Sequence, residues 1–585
     1  MNVLRWMALV AVLMQNVPPR PVGTASVEGV VMKLGTNEPI AGADLELTRQ
    51  PDGDPASVPP PYTAISGADG KFAFRNIASG TYKLVAARIG GNFTPFEYGQ
   101  RGTLGRGVLF SLGNGEAKKD VRMDMAPVGS ITGRILDTDN RPVGHASVMA
   151  MSPVYRNGER IVTIMEVVHS DDHGEFRLFS LTPGRYYVAA RLEDLTRRTA
   201  ALGYYPPGRI LASDRVESPV VTKHTLPTGQ VIEETYQLVY FGGGTNADLA
   251  APIEVRAGAA VAGIDISAYQ GKIPSRHIRG KIAVSGGASI PVGARIVAVP
   301  QRYSSDMPVP TGAADAGGAF DLAGAVPGKY FLTALVPADP NNRTTPPPQP
   351  QFGYALIEVG EQDLEGVSVS TAAGFPISGK LSIENKPDDD PNVAKLRLEL
   401  TREPNIQGFP QLNPNSKFSL NGEFSMSTVS IGDYTVQITG LPALGYAKSV
   451  RLGSRDLLQE TLHVDAQPLG RIEVVVATDA STLTGHVVDE RQDPAVNVKV
   501  VLVPDVSLRR RWDLYKSTMT DPSGNFSIKT IPPGDYKVFA WEDVPDNIWT
   551  IPESLRVDES RGRSIRIGSA TTERIELTAI PAARR

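Results

Sequence analysis

Apolar and polar residues alternate along most of this chain, and one version of the alternation occurs five times. Each copy opens with a short segment in which about every second residue is apolar and a glycine lies near the centre. A period of two is typical of a β-strand with one buried face. The central glycines are Gly29, Gly133, Gly280, Gly379 and Gly485.

Two further alternating segments follow in each copy at a fixed distance from each other. The first contains Gly-x-Phe and the second contains Gly-x-Tyr, and the Tyr always follows the Phe by ten residues. We predict that these segments form a pair of strands joined by a corner at the second glycine, with the Phe and the Tyr on the inward face. The five pairs are Phe72 and Tyr82, Phe176 and Tyr186, Phe320 and Tyr330, Phe424 and Tyr434, and Phe526 and Tyr536.

A tight turn is predicted immediately before each Phe strand. The sequences Asp69-Gly70 and Asp521-Pro522-Ser523-Gly524 show the pattern, in which Asp caps the turn through its side chain and Gly adopts the positive φ. Each turn offers one or two carboxylates, whereas calcium takes six to eight oxygen ligands. We therefore interpret these segments as capped turns rather than calcium sites.

The copies predict an all-β fold, a tandem array of about five seven-stranded antiparallel β-sandwich domains of the Greek-key type. The second copy has an insertion near residues 194–251, and the fourth copy departs most from the common pattern. Short linkers favour a semi-rigid rod, and the sequence leaves open whether that rod is straight or folded back. The predicted domains are residues 26–127, 128–272, 273–372, 373–480 and 481–585.

The opening glycine strand, the Asp/Gly turn before Phe and the Pro-Gly-x-Tyr corner together resemble the carboxypeptidase regulatory-like domain, over nearly all of residues 26–585, although the fourth copy lacks the Pro before Gly432. The resemblance implies a prealbumin-like β-sandwich, close to B-type collagen-binding repeats and starch-binding-like modules. It also implies a non-enzymatic module of exported bacterial proteins that binds carbohydrate or interacts at a surface. The Lys–Asn isopeptide links of the B-type repeats are not expected, because no Lys recurs at a fixed strand position.

The composition fits several folded domains. A chain of 585 residues is too long for one ordinary core, and 41% hydrophobic with 21% charged residues is typical of folded protein. The net charge of −4 and the pI of about 6.1 give no electrostatic footprint for nucleic acid, so we expect no nucleic-acid partner. The absence of Cys excludes disulfides, thiolate metal ligands and a lipidated Cys anchor.

Residues 1–25 have the features of a secretory signal peptide. Arg5 precedes an apolar run from Trp6 to Met14, and small residues lie at positions 23 and 25. The alternatives are a misassigned start codon or a disordered tail. Because the run is much shorter than the ~20 residues of a membrane span, we expect no transmembrane span in the mature chain. The predicted location is secreted or periplasmic, at the cell envelope.

Sequence motifs of the common catalytic chemistries are missing. None of the seven His residues is part of a metallocarboxypeptidase pattern, and there is neither a Gly-x-Ser-x-Gly motif nor a phosphate-binding loop. Paired carboxylates for sugar hydrolysis meet only in space and stay open as an alternative. We predict that the chain is not an enzyme and needs no cofactor.

The densest group of metal-ligand residue types is the segment His169-Ser170-Asp171-Asp172-His173. It falls where the other copies have a turn, and a zinc site there would need further ligands from elsewhere in the chain. We therefore interpret the segment as a turn and predict no metal site.

Aromatic residues in the last copy give the one functional hint. All Trp residues beyond the predicted signal peptide lie there, and alternation places Phe539 and Trp541 on the face opposite Tyr536. Flat rings on an outward face suit stacking on sugar rings or an apolar partner. The alternative is that a neighbouring loop or the C-terminal segment covers them. The candidate binding residues are Trp512, Tyr515, Phe539, Trp541 and Trp549.

A second aromatic group lies in the insertion of the second copy. It consists of Tyr204, Tyr205, Tyr240 and Phe241, and we expect it to hold the long loop in place. The sequence as a whole favours a non-catalytic exported binding protein with a polysaccharide ligand. The alternative is a structural or adhesive spacer of the cell envelope that contacts an envelope protein. The oligomeric state is left open.

Overall fold

The computed structural model describes most of the chain after the predicted signal peptide. Residues 1–21 of that peptide, and Tyr204 and Tyr205 of the insertion, lie outside the described residues. Val22–Ala25 already belong to the first strand, where the Ala25 side chain is buried. The described residues are 22–50, 59–88, 90, 92–100, 107–192, 219, 221–245, 249–268, 272–284, 290, 293–301, 309–338, 349–387, 390–403, 414–465 and 470–581.

The described chain is nearly all β. The first domain contains β1 (Val22–Lys33), β2 (Asp44–Arg49), β3 (Tyr62–Ile65), β4 (Lys71–Ile77), β5 (Gly80–Ala87), β6 (Phe96–Glu97), β7 (Phe110–Leu112) and β8 (Ala117–Met125). The second contains β9 (Gly129–Leu136), β10 (Ser147–Arg156), β11 (Glu159–His169), β12 (Glu175–Leu181), β13 (Gly184–Arg191), β14 (Val221–Thr225), β15 (Val231–Tyr236), β16 (Val239–Tyr240), β17 (Ile253–Val255), β18 (Ala260–Val261), β19 (Ile266–Ser267) and β20 (Lys272–Pro274).

The third and fourth domains continue the series. The third contains β21 (Arg276–Val284), β22 (Arg295–Pro300), β23 (Thr311–Ala313), β24 (Ala319–Ala325), β25 (Gly328–Val336), β26 (Gln351–Val359) and β27 (Leu364–Ala373). The fourth contains β28 (Phe375–Ile383), a 3₁₀ helix (Val393–Lys395), β29 (Arg397–Glu403), β30 (Asn415–Lys417), β31 (Glu423–Val429), β32 (Gly432–Thr439), β33 (Tyr446–Leu452), β34 (Arg455–Asp456), β35 (Leu462–Val464) and β36 (Ile472–Ala477).

The fifth domain adds short helices to the strands. Its strands are β37 (Ser481–Val488), β38 (Lys499–Pro504), β39 (Lys516–Met519), β40 (Asn525–Ile531), β41 (Gly534–Trp541), β42 (Arg563–Ile567) and β43 (Thr572–Thr578). Its helices are α1 (Pro552–Asp558) and the 3₁₀ turns Val506–Leu508, Trp512–Leu514, Ile548–Thr550 and Glu559–Arg561. Within the described residues, no helix is long and apolar enough to cross a membrane.

The domains share one two-layer plan, which the fifth domain shows clearly. Its opening strand β37 pairs antiparallel with the Phe strand β40 and parallel with the closing strand β43. The second layer pairs β38 with the Tyr strand β41. In the third domain β26 pairs with β27 and joins the two layers at one edge. The fold is thus the predicted tandem array of β-sandwiches. In each domain the opening strand also has a parallel neighbour, and in the second domain it has two short ones, β18 and β19, which the antiparallel expectation did not include.

The prediction that each Phe strand pairs with its Tyr strand is wrong. Across the described strands, the Phe strand pairs with the opening strand and the Tyr strand pairs with the second strand, in the other layer. The glycine corner therefore carries the chain from one layer to the other. A period of two identifies a strand and its buried face, but it does not identify the neighbouring strand, which explains the error.

The recurring Phe and Tyr residues build the cores of the sandwiches. All ten side chains are buried, as the predicted inward face requires. Each Tyr hydroxyl donates a hydrogen bond of 2.7–2.9 Å to the backbone carbonyl four residues before it. A buried Tyr usually finds such a partner, and here the bond also holds the corner between the two layers.

The central glycine of each opening strand is required by a close backbone approach. A Cβ atom at these five positions would lie 1.9–2.2 Å from a carbonyl oxygen of the closing segment, which is far inside contact distance. At Gly485 it would also lie 2.5 Å from the Phe526 ring. Any other residue would push apart the parallel pair and the ring that packs beside it.

The insertion of the second domain forms a hairpin that contacts the third domain. Strands β14 and β15 pair with each other, and β15 pairs with β20. His277 of the third domain lies between Glu233 of this hairpin, 2.8 Å from Nε2, and Asp321, which contacts Nδ1. Burial lowers the pKa of His277, but the hydrogen bonds to the two carboxylates outweigh it and leave that pKa above its ordinary value. The positive charge of Arg279, whose Nε donates a hydrogen bond to Asp321, opposes this rise in the pKa of His277.

Domains that are distant in sequence also touch. The backbone N–H of Gly158, in the turn between β10 and β11, donates to Thr550 Oγ1 of the fifth domain at 3.3 Å. The consecutive fourth and fifth domains are also joined, since Arg511 donates to the carbonyl of Ala447 at 3.0 Å. The array is therefore folded back on itself, which settles the geometry that the sequence left open. The domain boundaries stay a prediction.

Candidate functional site

The aromatic residues of the fifth domain form a second hydrophobic core on the outer face of its Tyr strand. Phe539 and Trp541 project from β41 beside Val501 and Val503 of β38, and Trp549 packs against them. The rings of Phe539 and Trp541 are stacked, with centroids 4.8 Å apart and planes inclined by 4°. Trp541 and Trp549 stack in turn at 6.3 Å.

Residues 542–562 cover this face. The 3₁₀ turn Ile548–Thr550 places Trp549 over the sheet, and α1 adds the buried Leu555. Pro552 at the start of α1 fixes its first turn, because proline has the helical φ and its missing N–H would be unpaired there. Phe539 is 0% exposed, and Trp541 and Trp549 are each 4% exposed.

Polar contacts hold the cover in place. The indole Nε1 of Trp541 donates to Asp558 Oδ2 at the end of α1, at 2.8 Å. The ammonium of Lys499 lies 5.6 Å from the ring centre of Trp549 and ion-pairs with Asp546. Burial raises the pKa of the nearby Asp543 carboxyl, and the charge of Lys499 opposes part of that rise.

The predicted exposed stacking surface is therefore wrong for Phe539, Trp541 and Trp549. Their burial matches the alternative, in which a neighbouring loop covers them. The alternation correctly gave the face on which the rings lie. It could not show that a segment without β periodicity folds back over that face.

Trp512 and Tyr515 are half-buried, and Trp512 lies at the contact with the second domain. Their rings stack with centroids 5.9 Å apart, and the Tyr515 hydroxyl donates to the Arg509 carbonyl at 3.2 Å. Burial raises the pKa of Tyr515 to about 12. A Cβ at Gly158 would lie 2.9 Å from the Trp512 ring, so the β10–β11 turn packs directly on it. A ligand-binding role of Trp512 and Tyr515 stays a prediction.

The segment around Asp171 is a capped turn, as the sequence predicted. Asp171 Oδ1 accepts the backbone N–H groups of His173 and Glu175 at 2.9 and 2.8 Å. Asp315 and Asp521 accept two backbone N–H groups each in the same way. The side chains of Asp171, Asp172 and His173 approach within 4.8 Å of one another, but all three are exposed. We assign no ligand to them.

A cavity of about 370 Å³ lies between the first and fifth domains. The fifth domain contributes Asn497, which is 1% exposed and whose side-chain Oδ1 and Nδ2 have no hydrogen-bond partner within the described structure. The lining residues are Phe96, Tyr98, Gly99, Gln100, Val108, Asp120, Arg122, Asp124, Val496, Asn497 and Pro522.

Comparison with known proteins identifies the first domain. Residues 26–98 match the family model of the carboxypeptidase regulatory-like domain. The first domain is a carboxypeptidase regulatory-like domain. The other four domains repeat the Phe–Tyr motif and the strand pairing of this regulatory-like domain. No curated protein matches the chain.

Several solved structures match parts of the chain at low identity. GBS52, the minor pilin of the Gram-positive pathogen Streptococcus agalactiae, is 12% identical over 42% of this chain and 96% of its own, with a TM-score of 0.21. The shaft pilin SpaA of Lactobacillus rhamnosus GG is 9% identical over 42% and 96%, with a TM-score of 0.19. The TIE protein of Bacillus anthracis is 12% identical over 80% and 77%, with a TM-score of 0.14. These low scores give no basis for a functional comparison.

Sequence patterns missed the cavity because its two walls are more than 370 residues apart along the chain. The regulatory-like domain supplies the wall with Tyr98 and Arg122, and a turn of the fifth domain supplies Asn497. A local signal exists nonetheless. Asn497 has a positive φ of 54° in the turn before the second strand, where the first domain has Gly42, also with positive φ. A polar side chain therefore occupies a position that the backbone alone would fill with glycine.

Proposed function

We propose that this protein is a non-catalytic, exported scaffold of β-sandwich domains that acts as a structural or adhesive element of the cell envelope. The residues that recur in all copies are used by the fold itself. The buried Phe and Tyr residues form the cores, the opening glycines allow close strand approach, and the turn carboxylates accept backbone N–H groups. No recurring residue type is left over for chemistry within the described structure.

The contact between the second and fifth domains carries this proposal. The β10–β11 turn meets Trp512 and Thr550, so residues that differ between copies are used to fix one domain on another. A protein that holds its domains by such contacts is suited to bear load or to present a surface of fixed shape. This favours a scaffold over five independent binding modules on flexible linkers.

A distance measurement in solution tests the scaffold. Because the chain has no Cys, single Cys residues introduced at the exposed Asn157 and Glu553 can carry spin labels without background labelling. Electron–electron resonance should give one short, narrow distance distribution for the full chain. Adding Trp512→Ala should broaden it. A broad, long distribution in the otherwise unchanged protein would contradict the scaffold.

A second candidate function is carbohydrate binding, which the cavity between the first and fifth domains favours. Its lining combines the Tyr98 ring with amide, guanidinium and carboxylate groups, a mixture that suits a sugar. The full chain immobilised on resin should retain at least one member of a panel of envelope polysaccharides. It should release no new reducing ends, since the proposed function is non-catalytic. Release of reducing ends would show instead that the chain is a hydrolase.

A further inference from the structure

We propose that the open edge of strand β11 in the second domain is a dimerisation surface, which pairs antiparallel with β11 of a second copy of this chain. β11 pairs with β10 on one side, and no described strand pairs with it on the other. The edge of a sheet offers its backbone N–H and C=O groups to any strand that fits them. This inference goes beyond the scaffold and the carbohydrate candidate, and each can hold without the others.

The edge of the second domain differs from the edges of the other copies. β11 has 11 residues, whereas the corresponding strands β3, β23, β30 and β39 have three or four. Short edge strands, Lys and Pro usually protect a sheet against pairing with another chain. β11 is long, contains neither Lys nor Pro, and has β-branched side chains at six of its 11 positions. It therefore has the composition of a strand that lies between two others.

Apolar side chains are exposed beside this edge. Met165 is 56% exposed and Val167 is 47% exposed, and Phe179 of the nearby β12 is 55% exposed. The carboxylate of Glu166 accepts the backbone N–H of Phe179, which places Phe179 next to this part of β11. Exposed apolar side chains that are grouped in this way indicate a contact surface.

The other copies have polar residues where Val167 lies. Val167 pairs with the third residue of β10. The residues that pair with the third residue of the second strand in the other domains are Thr63, Thr311, Asn415 and Ser517. The position of Phe179, three residues after the recurring Phe, is occupied there by Arg75, Ala323, Ser427 and Lys529. The second domain alone is apolar at both positions, as a paired edge requires.

A β-bulge determines which side chains of β11 share a face. Ala150 pairs with Glu166 and Met151 pairs with Ile164, which leaves Met165 as the extra residue. Ala150 faces the sandwich core, whereas Ile164 packs with Met151 on the outer side of the sheet. A partner strand must match these faces on both sides of the bulge.

A second copy of β11 matches them. With a two-fold axis between Ile164 and Met165, the two bulges meet, and outer side chains lie opposite outer ones along the whole strand. The opposed pairs are then Ile164 with Met165, Val162 with Val167, Ile161 with Val168, and Thr163 with Glu166. Three of these pairs are apolar, and in the fourth a hydroxyl can donate to a carboxylate.

The same pairing is closed and tolerates the charges at its ends. The exposed Arg160 and His169 lie opposite each other at both ends, where solvent screens them. Because each copy uses the same edge, the pair consumes both open edges and stops at two chains. The structure thus favours a second copy as the occupant of this edge.

Sedimentation equilibrium of the full chain over a range of concentrations tests the dimer. We expect a reversible monomer–dimer equilibrium. Val167→Lys should weaken it by about tenfold or more, because an ammonium would be buried beside Val162 of the other copy. The matched control is Val231→Lys, which makes the same change at a 59% exposed position of β15 and should leave the equilibrium unchanged.

Cross-linking tests the register. Because the chain has no Cys, Met165→Cys should join two copies through a short bismaleimide, and Val231→Cys should not. If Val167→Lys does not fold, as circular dichroism would report, Val167→Thr must weaken the dimer instead, since Thr is the residue of the first and third domains at this position.

Four results would overturn the inference. A chain that is monomeric up to its solubility limit would refute the dimer, and a dimer that Val167→Lys leaves intact would use another surface. Assemblies larger than two chains would refute the closed pair. A monomeric chain that binds an unrelated peptide of alternating Val and Thr at this edge would show that a foreign strand is the occupant.

Discussion

Replacing Trp541 by Phe should destabilise the fifth domain, because the aromatic face is a buried core rather than a binding surface. The substitution keeps a flat ring between Phe539 and Trp549 but removes the N–H that donates to Asp558. Losing a hydrogen bond to a charged group costs about 2 kcal/mol. The smaller ring leaves space that the stacked neighbours fill only in part, which adds about 1 kcal/mol. We expect a loss of about 3 kcal/mol in the free energy of unfolding.

Urea unfolding of the full chain, followed by near-ultraviolet circular dichroism, measures the loss as a lower midpoint for the fifth domain. Trp512→Phe is the matched control, because Trp512 is half-buried and its indole N–H makes no hydrogen bond to a side-chain carboxylate within the described residues. It should cost less than about 1 kcal/mol. If Trp541→Phe changed stability by less than about 0.5 kcal/mol, the cover over this face would not be a packed core.

Three further predictions concern the strands and the domain contacts. Gly485→Ala would place a methyl group 2.2 Å from the Ile575 carbonyl oxygen, so it should destabilise the fifth domain by about 3 kcal/mol or more, measured by thermal unfolding. Trp512→Ala should leave that domain folded but expose the Gly158 turn, which faster hydrogen exchange there would report. Because the pKa of His277 is raised in the folded protein, its contribution to docking the β14–β15 hairpin should be full below pH about 6.5 and fall as the pH rises through the raised value. Hydrogen exchange of the hairpin at a series of pH values checks this, and His277→Gln should remove the dependence.

Much of the fold could be predicted because its determinants are local and repeated. The period-two alternation gave strands such as β37 and β41 and their buried faces, and the fixed Phe–Tyr spacing gave the number of copies. The Asp turns were equally readable, since Asp171 caps its turn through neighbouring backbone groups. Strand pairing was less accessible, because the neighbour of a strand depends on the path of the whole chain. The corner between Phe526 and Tyr536 could join two strands of one layer or cross between two layers.

The surroundings of Trp541 and the cavity between the first and fifth domains were harder to predict, because neither follows from the local pattern of a strand. Whether Trp541 is exposed depends on a helical cover that alternation cannot detect. The cavity joins residues of the first domain to Asn497, which lies more than 370 residues later along the chain. In both cases the sequence identifies the residue but not the residues that pack around it.

Hydrogen–deuterium exchange of the full chain, with and without a mixture of oligosaccharides from bacterial envelope polysaccharide, tests the central claim most directly. The claim is that the recurring residues build the fold, while the junctions between domains carry binding. We predict slower exchange in β6 and in the turn that contains Asn497, with no change in the strands that carry the recurring Phe and Tyr. Slower exchange confined to those strands, with the two junction segments unaffected, would contradict the account.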